Sequence, residues 1–106
     1  MREIIDNVKS DNPSLSVRVC FVGYRDIKDH PRFSIHEFTE DLEKVKGFIK
    51  GVSASGGGDF PEDVQGGFFE ALKMKWEDSS IKMAFHIFDA PGHGKDICPN
   101  GGDDYP

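Results

Sequence analysis

The first forty residues alternate between a helical and an extended pattern of apolar positions. Residues 2–9 carry apolar side chains on one helical face, and the Asn12-Pro13 pair after them is typical of a helix end. The run Ser16–Gly23 is β-branched and apolar on both faces, which predicts a buried strand. Phe33–Phe38 alternates apolar and polar residues, as a half-exposed edge strand does. The short connection between the two strands favours an antiparallel hairpin, because parallel strands need a longer crossover.

The remainder of the chain predicts two more helices and one more strand. Thr39 suits an N-cap, since acidic residues follow it and apolar residues continue at helical spacing as far as Val52. A glycine-rich loop, Ser53–Asp63, leads into another helix whose apolar stripe fades around Trp76. Ile81–Phe88 is an apolar run of strand length, and the alternation of strands with helices predicts an α/β sandwich. The stripe of the last helix consists of Val64, Phe68, Ala71 and Leu72.

Composition fits a soluble globular protein and excludes several functions. The 106 residues have a mass of 11.8 kDa, which is enough for one small domain or part of a larger one. A net charge of -6 with no run of Lys or Arg argues against nucleic acid as a partner. No apolar stretch approaches the roughly 20 residues of a membrane span, and the first residues lack the apolar run of a secretory signal. Cys20 and Cys98 are too few for a disulfide framework, so we expect a reducing, cytoplasmic location.

Two acidic loops carry the candidate chemistry. Ser55–Asp63 joins a triple glycine to three carboxylates at the start of a helix, and Phe88–Pro91 ends a strand in an acid. In open α/β sheets, ligands gather beyond the carboxyl ends of strands, where these loops are expected to meet. Oxygen ligands without thiolates suit a hard cation such as Mg²⁺, Mn²⁺ or Ca²⁺. The spacing of Asp59 and Glu62 equally suits a helix capping box, and the residues alone leave both interpretations open.

The order of these loops along the chain resembles that of von Willebrand factor A domains. The shared features are Gly-Tyr-Arg-Asp at 23–26, Gly-Gly-Gly-Asp-x-Pro-Glu-Asp before a helix, and Asp-Ala-Pro-x-His-Gly after a strand. From about Leu15 to Lys95 the chain most resembles the branch attached to the alpha-kinases of protozoa, and the integrin β-subunit I-like domain is more distantly similar. The resemblance implies a Rossmann-like three-layer α/β sandwich. It also implies a metal-ion-dependent adhesion site, where Mg²⁺ accepts a carboxylate from a protein partner.

The resemblance implies roles for individual residues as well. Glu62 corresponds to the acid that reaches the metal from the second loop, and Asp59 to a ligand of a neighbouring cation or to a metal-binding Thr. Asp89 corresponds to the acid that ends the fourth strand and acts through water. Asp26 and Asp63 are weaker candidates for metal ligands. The residues expected to contact the partner are Gly57, Gly58 and His93.

The chain departs from the family's pattern where the main ligands belong. The Asp-x-Ser-x-Ser motif of the first strand is absent, and so are the last strands. Residues 1–106 are therefore expected to form a partial, truncated domain in which cation binding is weak or absent. In the family's strand order the lost strand lies between Val17–Gly23 and Ile81–Phe88. We expect these unpaired edges either to complete a sheet with another chain, through self-association, or to pair directly with each other.

Together these features predict a protein-binding module, a recruitment region of an alpha-kinase-like protein whose catalysis lies in a separate domain. The chain shows no nucleophile paired with a base, so the question of an enzyme stays open. Two alternatives remain. One is a Mg²⁺-dependent phosphotransferase or hydrolase that uses Asp59, Glu62 and Asp89, and the other is a metal-free scaffold whose acids only cap a helix. His86, on an apolar strand, is expected to be a packed, hydrogen-bonded core residue.

Overall fold

The computed structural model describes residues 2–11, 14–55, 61–94 and 96, which form a small α/β unit. Three helices and one two-stranded sheet occur within these residues. In chain order they are α1 (Arg2–Asp11), β1 (Val19–Tyr24), β2 (Phe33–Thr39), α2 (Leu42–Gly51) and α3 (Val64–Leu72). No helix in this described part is both long and apolar enough to cross a membrane.

β1 and β2 form an antiparallel hairpin, which confirms the prediction made from their alternating pattern and short connection. Phe21 lies opposite His36 and Tyr24 lies opposite Phe33, while the register shifts between Val19 and Phe21. Every residue of β1 is half-buried, consistent with a strand that one helix layer covers only in part. The hairpin is the frame on which α2 and α3 pack.

The N-cap of α2 lies two residues later than the predicted N-cap, Thr39. The N-cap is Asp41, whose side chain accepts a hydrogen bond of 3.1 Å from the Glu43 N–H. The prediction of Thr39 as N-cap is wrong, because its hydroxyl instead accepts the Asp41 N–H at 3.1 Å and closes the turn before the helix. At the other end the Val52 N–H donates to the Ile49 carbonyl.

The core of the described part lies between α2 and the hairpin. Val45 is fully buried there, and the Phe48 ring meets the Phe21 ring edge to face at 6.1 Å between centroids. The His36 ring, opposite Phe21 in the hairpin, also meets the Phe48 ring, with 5.2 Å between the ring centroids. The burial of Val45 alone contributes on the order of 2 kcal/mol to folding. The buried apolar residues of the described part are Ile5, Val45 and Met74.

α3 packs against β1 through a glycine. A Cβ on Gly67 would lie 2.7 Å from the Tyr24 ring, so this helix and strand approach each other more closely than any other residue would allow. The apolar stripe predicted for α3 does not face a core, however. Phe68 is 49% exposed and Leu72 is 78% exposed, since the two-stranded sheet extends no further on this side.

The strand predicted at Ile81–Phe88 is wrong. The segment runs without helix, turn or bend, but its residues are exposed and it pairs with no strand of the described part. Its direct pairing with Val17–Gly23, one of the two expected outcomes, is therefore not formed. The physical reason is that extended backbone becomes a strand only when a neighbouring strand supplies hydrogen-bond partners. Because the described sheet has two strands, the finer expectation of a three-layer sandwich remains unconfirmed.

Candidate functional site

The loop that leads into α3 and the loop after residue 88 lie side by side. The Glu62 N–H donates a hydrogen bond of 2.9 Å to the Pro91 carbonyl, and Glu62 forms an isolated parallel bridge with Gly92. The prediction that the two acidic loops meet is confirmed at this bridge. Backbone contact of this kind holds the acids near one another without using their side chains.

Glu62 and Asp89 both act on Tyr24, the last residue of β1. Burial raises the pKa of the Tyr24 hydroxyl above its ordinary value of 10.0, and the negative charges of Glu62 and then Asp89 raise that pKa further. Two carboxylates from different loops thus lie close enough to the same phenol for their charges to be felt there. The role of these two acids as metal ligands stays a prediction.

His86 joins the segment 81–88 to Tyr24. Its Nε2 lies 2.8 Å from the Tyr24 hydroxyl oxygen, a hydrogen-bond distance. The imidazole stacks on the Phe88 ring at 4.5 Å between centroids and meets the Phe68 ring at 4.9 Å. His86 is therefore hydrogen-bonded and packed against rings, as expected, but it belongs to an exposed segment rather than to the core.

Asp26 is paired with His93. The distance from His93 Nε2 to Asp26 Oδ1 is 2.6 Å, and the two side chains are 11% and 9% exposed. The same carboxylate oxygen accepts the Ile27 N–H at 2.8 Å, while the Asp26 N–H donates to Asp29 Oδ2 at 2.9 Å. Asp26 thereby ties the hairpin loop to the loop that follows Asp89. The expected contact of His93 with a partner stays a prediction, and any such contact would involve a largely buried ring.

Asp63 has two structural partners. Its Oδ1 accepts the Gly66 N–H at 3.1 Å, which makes Asp63 the N-cap of α3, and its Oδ2 lies 2.6 Å from Arg32 Nε. Arg32 Nη2 approaches the same oxygen at 2.5 Å. Asp63 caps α3, so a capping box formed by Asp59 and Glu62 for this helix is wrong. A Cβ on Gly66 would lie 2.1 Å from the Asp63 carboxylate, so a larger residue there would displace this carboxylate from its present position.

Arg25 connects three parts of the chain, a role that the sequence did not reveal. Its Nη1 donates to the Pro31 carbonyl at 2.9 Å and to the Ser34 hydroxyl at 3.1 Å, and its Nη2 donates to the Ser53 carbonyl at 2.9 Å. Its backbone carbonyl accepts the Asp63 N–H at 3.1 Å. The Arg25 guanidinium lines a cavity of about 480 Å³ beside α2. The only hint in the sequence was the Gly-Tyr-Arg-Asp stretch after a strand.

A smaller cavity of about 150 Å³ opens beside the bridge between the loops. Glu62, His93 and the first residues of α3 all line it. This cavity is therefore lined by the candidate acid Glu62, and it shares no lining residue with the cavity beside α2. Its lining residues are Ile27, Glu62, Asp63, Val64, Gln65 and His93.

The metal ligands predicted from the sequence are placed only in part. The predicted ligand Asp59 lies outside the described residues, as do Gly57 and Gly58, which were expected to contact the partner. Among the residues that are described, no group of three His, Cys, Asp or Glu side chains is arranged to hold a metal ion. Glu62 and Asp89 are oxygen donors of the kind that a hard cation favours, but two carboxylates are fewer donors than such a cation takes. The donor chemistry fits a divalent cation, and the described set needs at least one further ligand.

Comparison with known proteins links the chain to a kinase-related protein. It is similar to the alpha-protein kinase vwkA of Dictyostelium discoideum, with 32% identity over an alignment of 106 residues. The alignment covers 89% of this chain but only 17% of the relative, so the chain spans a small part of the curated protein it matches. No protein-family model and no solved structure matches the chain. The similarity therefore indicates a region associated with an alpha-kinase-related protein.

Proposed function

We propose that this chain is a protein-binding module associated with an alpha-kinase-like protein. In this proposal Glu62 and Asp89, together with Asp59, hold Mg²⁺ or Mn²⁺, and the cation accepts a carboxylate from a protein partner. The similarity to the Dictyostelium alpha-protein kinase supports the association. Phosphoryl transfer would belong to another part of such a protein, and this region would recruit or localise it.

The convergence of Glu62 and Asp89 on Tyr24 carries the proposal. Both acids raise the pKa of Tyr24, so both negative charges act on the same partly buried phenol. A divalent cation near this point would be attracted by both carboxylates. The backbone bridge from Glu62 to Pro91 and Gly92 holds the two loops together before any cation binds.

Asp26 and Asp63 have a supporting role in this proposal. Asp26 is held by His93, and Asp63 by Arg32 and the Gly66 N–H, so neither carboxylate is available as an unencumbered ligand. Instead they fix the positions of the loops that carry Glu62 and Asp89. His93 contributes by binding the loop after Asp89 to the hairpin loop.

A metal-free scaffold is the second candidate. It is favoured by Asp63, one of the acids of the first loop, which caps a helix as that alternative requires. The two candidates differ in one measurable property, which is saturable binding of a divalent cation through Glu62.

Calorimetric titration of the chain with MnCl₂ and MgCl₂ tests the proposal. We expect saturable binding with a Kd on the order of 10⁻⁴ to 10⁻³ M, the range of weak carboxylate sites. Glu62→Gln keeps the shape of the side chain and removes its charge, so it should abolish that binding. Glu37→Gln, an exposed position on β2, is the matched control and should leave it unchanged. With Mn²⁺ bound, acetate should perturb the electron paramagnetic resonance spectrum of the wild-type chain.

Three results would count against the adhesion-type proposal. A chain that binds neither cation saturably would leave the scaffold as the better account. Equal loss of binding in Glu62→Gln and Glu37→Gln would show that general charge, not a site, attracts the cation. Release of phosphate from ATP that Glu62→Gln abolishes would favour the phosphotransferase or hydrolase alternative.

A further inference from the structure

The cavity beside α2 has the size of a small-molecule site. Its volume of about 480 Å³ lies within the roughly 300–1,000 Å³ typical of ligand pockets. Among the described residues it shares no lining residue with the smaller cavity at Glu62, so a ligand in one does not occupy the other. We call it the Arg25 cavity, after the charged residue in its wall.

The charge of Arg25 has no carboxylate partner. Its three hydrogen bonds are all accepted by neutral oxygens of the chain. Arg18 and Arg32, in contrast, each pair with a carboxylate. Neither Asp nor Glu occurs among the described residues that line the Arg25 cavity. A guanidinium in such a wall favours an anion, because its planar donors match carboxylate and phosphate oxygens.

The Arg25 guanidinium also has donors to spare. It carries five N–H groups, of which two on Nη1 and one on Nη2 donate within the chain. The Nε atom is buried and has no hydrogen-bond partner, which is unfavourable for a donor. Because protein atoms enclose Nε, its N–H adds positive potential to the cavity rather than a direct bond. The second N–H of Nη2 is the donor from which a ligand oxygen would accept.

The rest of the wall offers apolar surface and open space. Phe48 and Val52 supply the apolar surface. Gly47 and Gly51, four residues apart on α2, line the same cavity, and a Cβ on either would meet no atom within 4 Å. Packing within the described part therefore does not require glycine there, although glycine is less favourable than alanine in a helix. The two glycines leave room for an apolar group beside the cation.

We propose that the Arg25 cavity binds a small organic carboxylate, whose apolar body packs against Phe48 and Val52 and whose oxygen accepts a hydrogen bond from Arg25 Nη2. Three hydrogen bonds already hold the guanidinium, so binding loses little side-chain entropy there. One guanidinium balances one negative charge, and the net charge of -6 repels a second. A monoanion is therefore favoured over a phosphate monoester, which carries nearly two charges at neutral pH.

Nuclear magnetic resonance titration of the ¹⁵N-labelled chain with 2-naphthoate tests the site. EDTA is present, so no divalent cation can hold the carboxylate. We expect saturable shifts of the Ser34, Gly47 and Gly51 amide signals, with a Kd on the order of 10⁻³ M for a ligand of this size. 2-Naphthamide has nearly the same shape without the charge and should bind at least about tenfold more weakly. 2-Naphthyl phosphate should bind no more tightly than 2-naphthoate.

Two variants locate the ligand. Gly47→Leu adds a side chain to the cavity wall and should abolish binding. Lys44→Leu, at an exposed position of the same helix outside the lining, is the matched control and should leave binding unchanged. Arg25→Gln removes the charge and should weaken 2-naphthoate at least about tenfold, with circular dichroism as the check that the variant folds.

Four results would overturn the proposal. They are no saturable binding of 2-naphthoate, equal affinity for 2-naphthamide, tighter binding of 2-naphthyl phosphate, and unchanged binding by Gly47→Leu. If Arg25→Gln does not fold, the comparison of 2-naphthoate with 2-naphthamide still tests the role of the charge. The comparison of Gly47→Leu with Lys44→Leu still tests the position of the ligand.

Discussion

β1 and residues 81–88 are similar stretches of sequence with different structures. Both are apolar over the length of a strand, VCFVGY in one and IKMAFHIF in the other. β1 is half-buried and paired with β2, whereas residues 81–88 are exposed and pair with no strand of the described part. Local preference for extended backbone is therefore not enough to form a strand. The difference shows that the position of a partner decides the outcome.

The nearness of the partner along the chain explains why β1 succeeds. Only residues 25–32 separate β1 from β2, so the entropy lost in closing the loop is small. α2 then covers the hairpin through Val45 and Phe48. Residues 81–88 are followed instead by the loop that binds Glu62, and their main contact with the hairpin is His86 on Tyr24.

The largest expected effect comes from proline in each of the two stretches. The Arg25 N–H donates to the Arg32 carbonyl at 2.9 Å, and by alternation along the ladder Phe21 and His36 form another hydrogen-bonded pair. Phe21→Pro should therefore lower the free energy of unfolding by about 3 kcal/mol or more. Phe85→Pro should leave it unchanged at concentrations where the chain is monomeric. Urea denaturation followed by circular dichroism measures both.

Equal destabilisation by the two prolines would contradict the comparison. It would mean that residues 81–88 contribute a ladder to the folded monomer. A Phe21→Pro variant with unchanged stability would also contradict the comparison, because the hairpin would then not stabilise the fold. Phe21→Ala, compared with Phe21→Pro, separates the loss of the ring packed on Phe48 from the loss of the ladder hydrogen bond.

A smaller effect on stability is expected from substitutions of Asp63, which caps α3, and of Asp89, which follows residues 81–88. Asp63→Asn keeps a cap on α3 but loses the charge beside Arg32, which should lower stability by about 1 kcal/mol because Arg32 is partly exposed and screened. Asp63→Ala loses the cap as well and should cost about 2 kcal/mol. Asp89→Asn, at an exposed position, should change the melting temperature little. A larger loss from Asp89→Asn than from Asp63→Ala would show that the acidic loop, not the cap, anchors α3.

The smallest effect concerns the reactivity of a single cysteine thiol, placed either in β1 or in residues 81–88. Burial raises the pKa of the Cys20 thiol above its ordinary value of 9.0, the charge of Glu37 raises it further, and Arg18 opposes them. Because the thiolate is the nucleophile, iodoacetamide should modify Cys20 several-fold more slowly at pH 8 than Ala84→Cys on the exposed segment. Both are measured as single thiols, with the other cysteines replaced by Ser and the protein dilute.

The raised pKa of Cys20 also predicts how the free energy of unfolding changes with pH. The folded-state pKa of Cys20 lies above the unfolded value, so its contribution is complete below pH 9.0 and is lost as the pH rises through the folded-state pKa. Cys20→Ala should remove that part of the alkaline destabilisation. If wild type and Cys20→Ala lose stability in parallel above pH 9.0, the burial of the thiol is not the cause.

The elements that sequence pattern predicts well are those with nearby partners. The hairpin and the helix after it were expected from alternation and helical spacing, and both are formed. The cap of α2 was misplaced from Asp41 to Thr39, because both residues can accept a backbone hydrogen bond and only geometry separates them. The strand at residues 81–88 failed because its partner cannot be inferred from its own residues.

The candidate site was also predicted only in part from the sequence. Glu62 and Asp89 were identified from their loops, and their bridge and common effect on Tyr24 are consistent with that prediction. The pairing of Asp26 with His93 and of Asp63 with Arg32 was not foreseen, because the partners are separated by dozens of residues along the chain. The close approaches at Gly66 and Gly67 were not foreseen either, because a glycine pair in a helix does not say what approaches it.

Sequence alone determined the local properties of this protein: which stretches favour helix or extended backbone, which loops concentrate carboxylates, and the net charge. Tertiary structure decided which extended stretch became a strand, which acids were paired with His93 and Arg32, and which apolar residues stayed exposed. The physical reason is that hydrogen bonds between strands, ion pairs and burial each need a second group. Only the folded chain establishes where that second group lies.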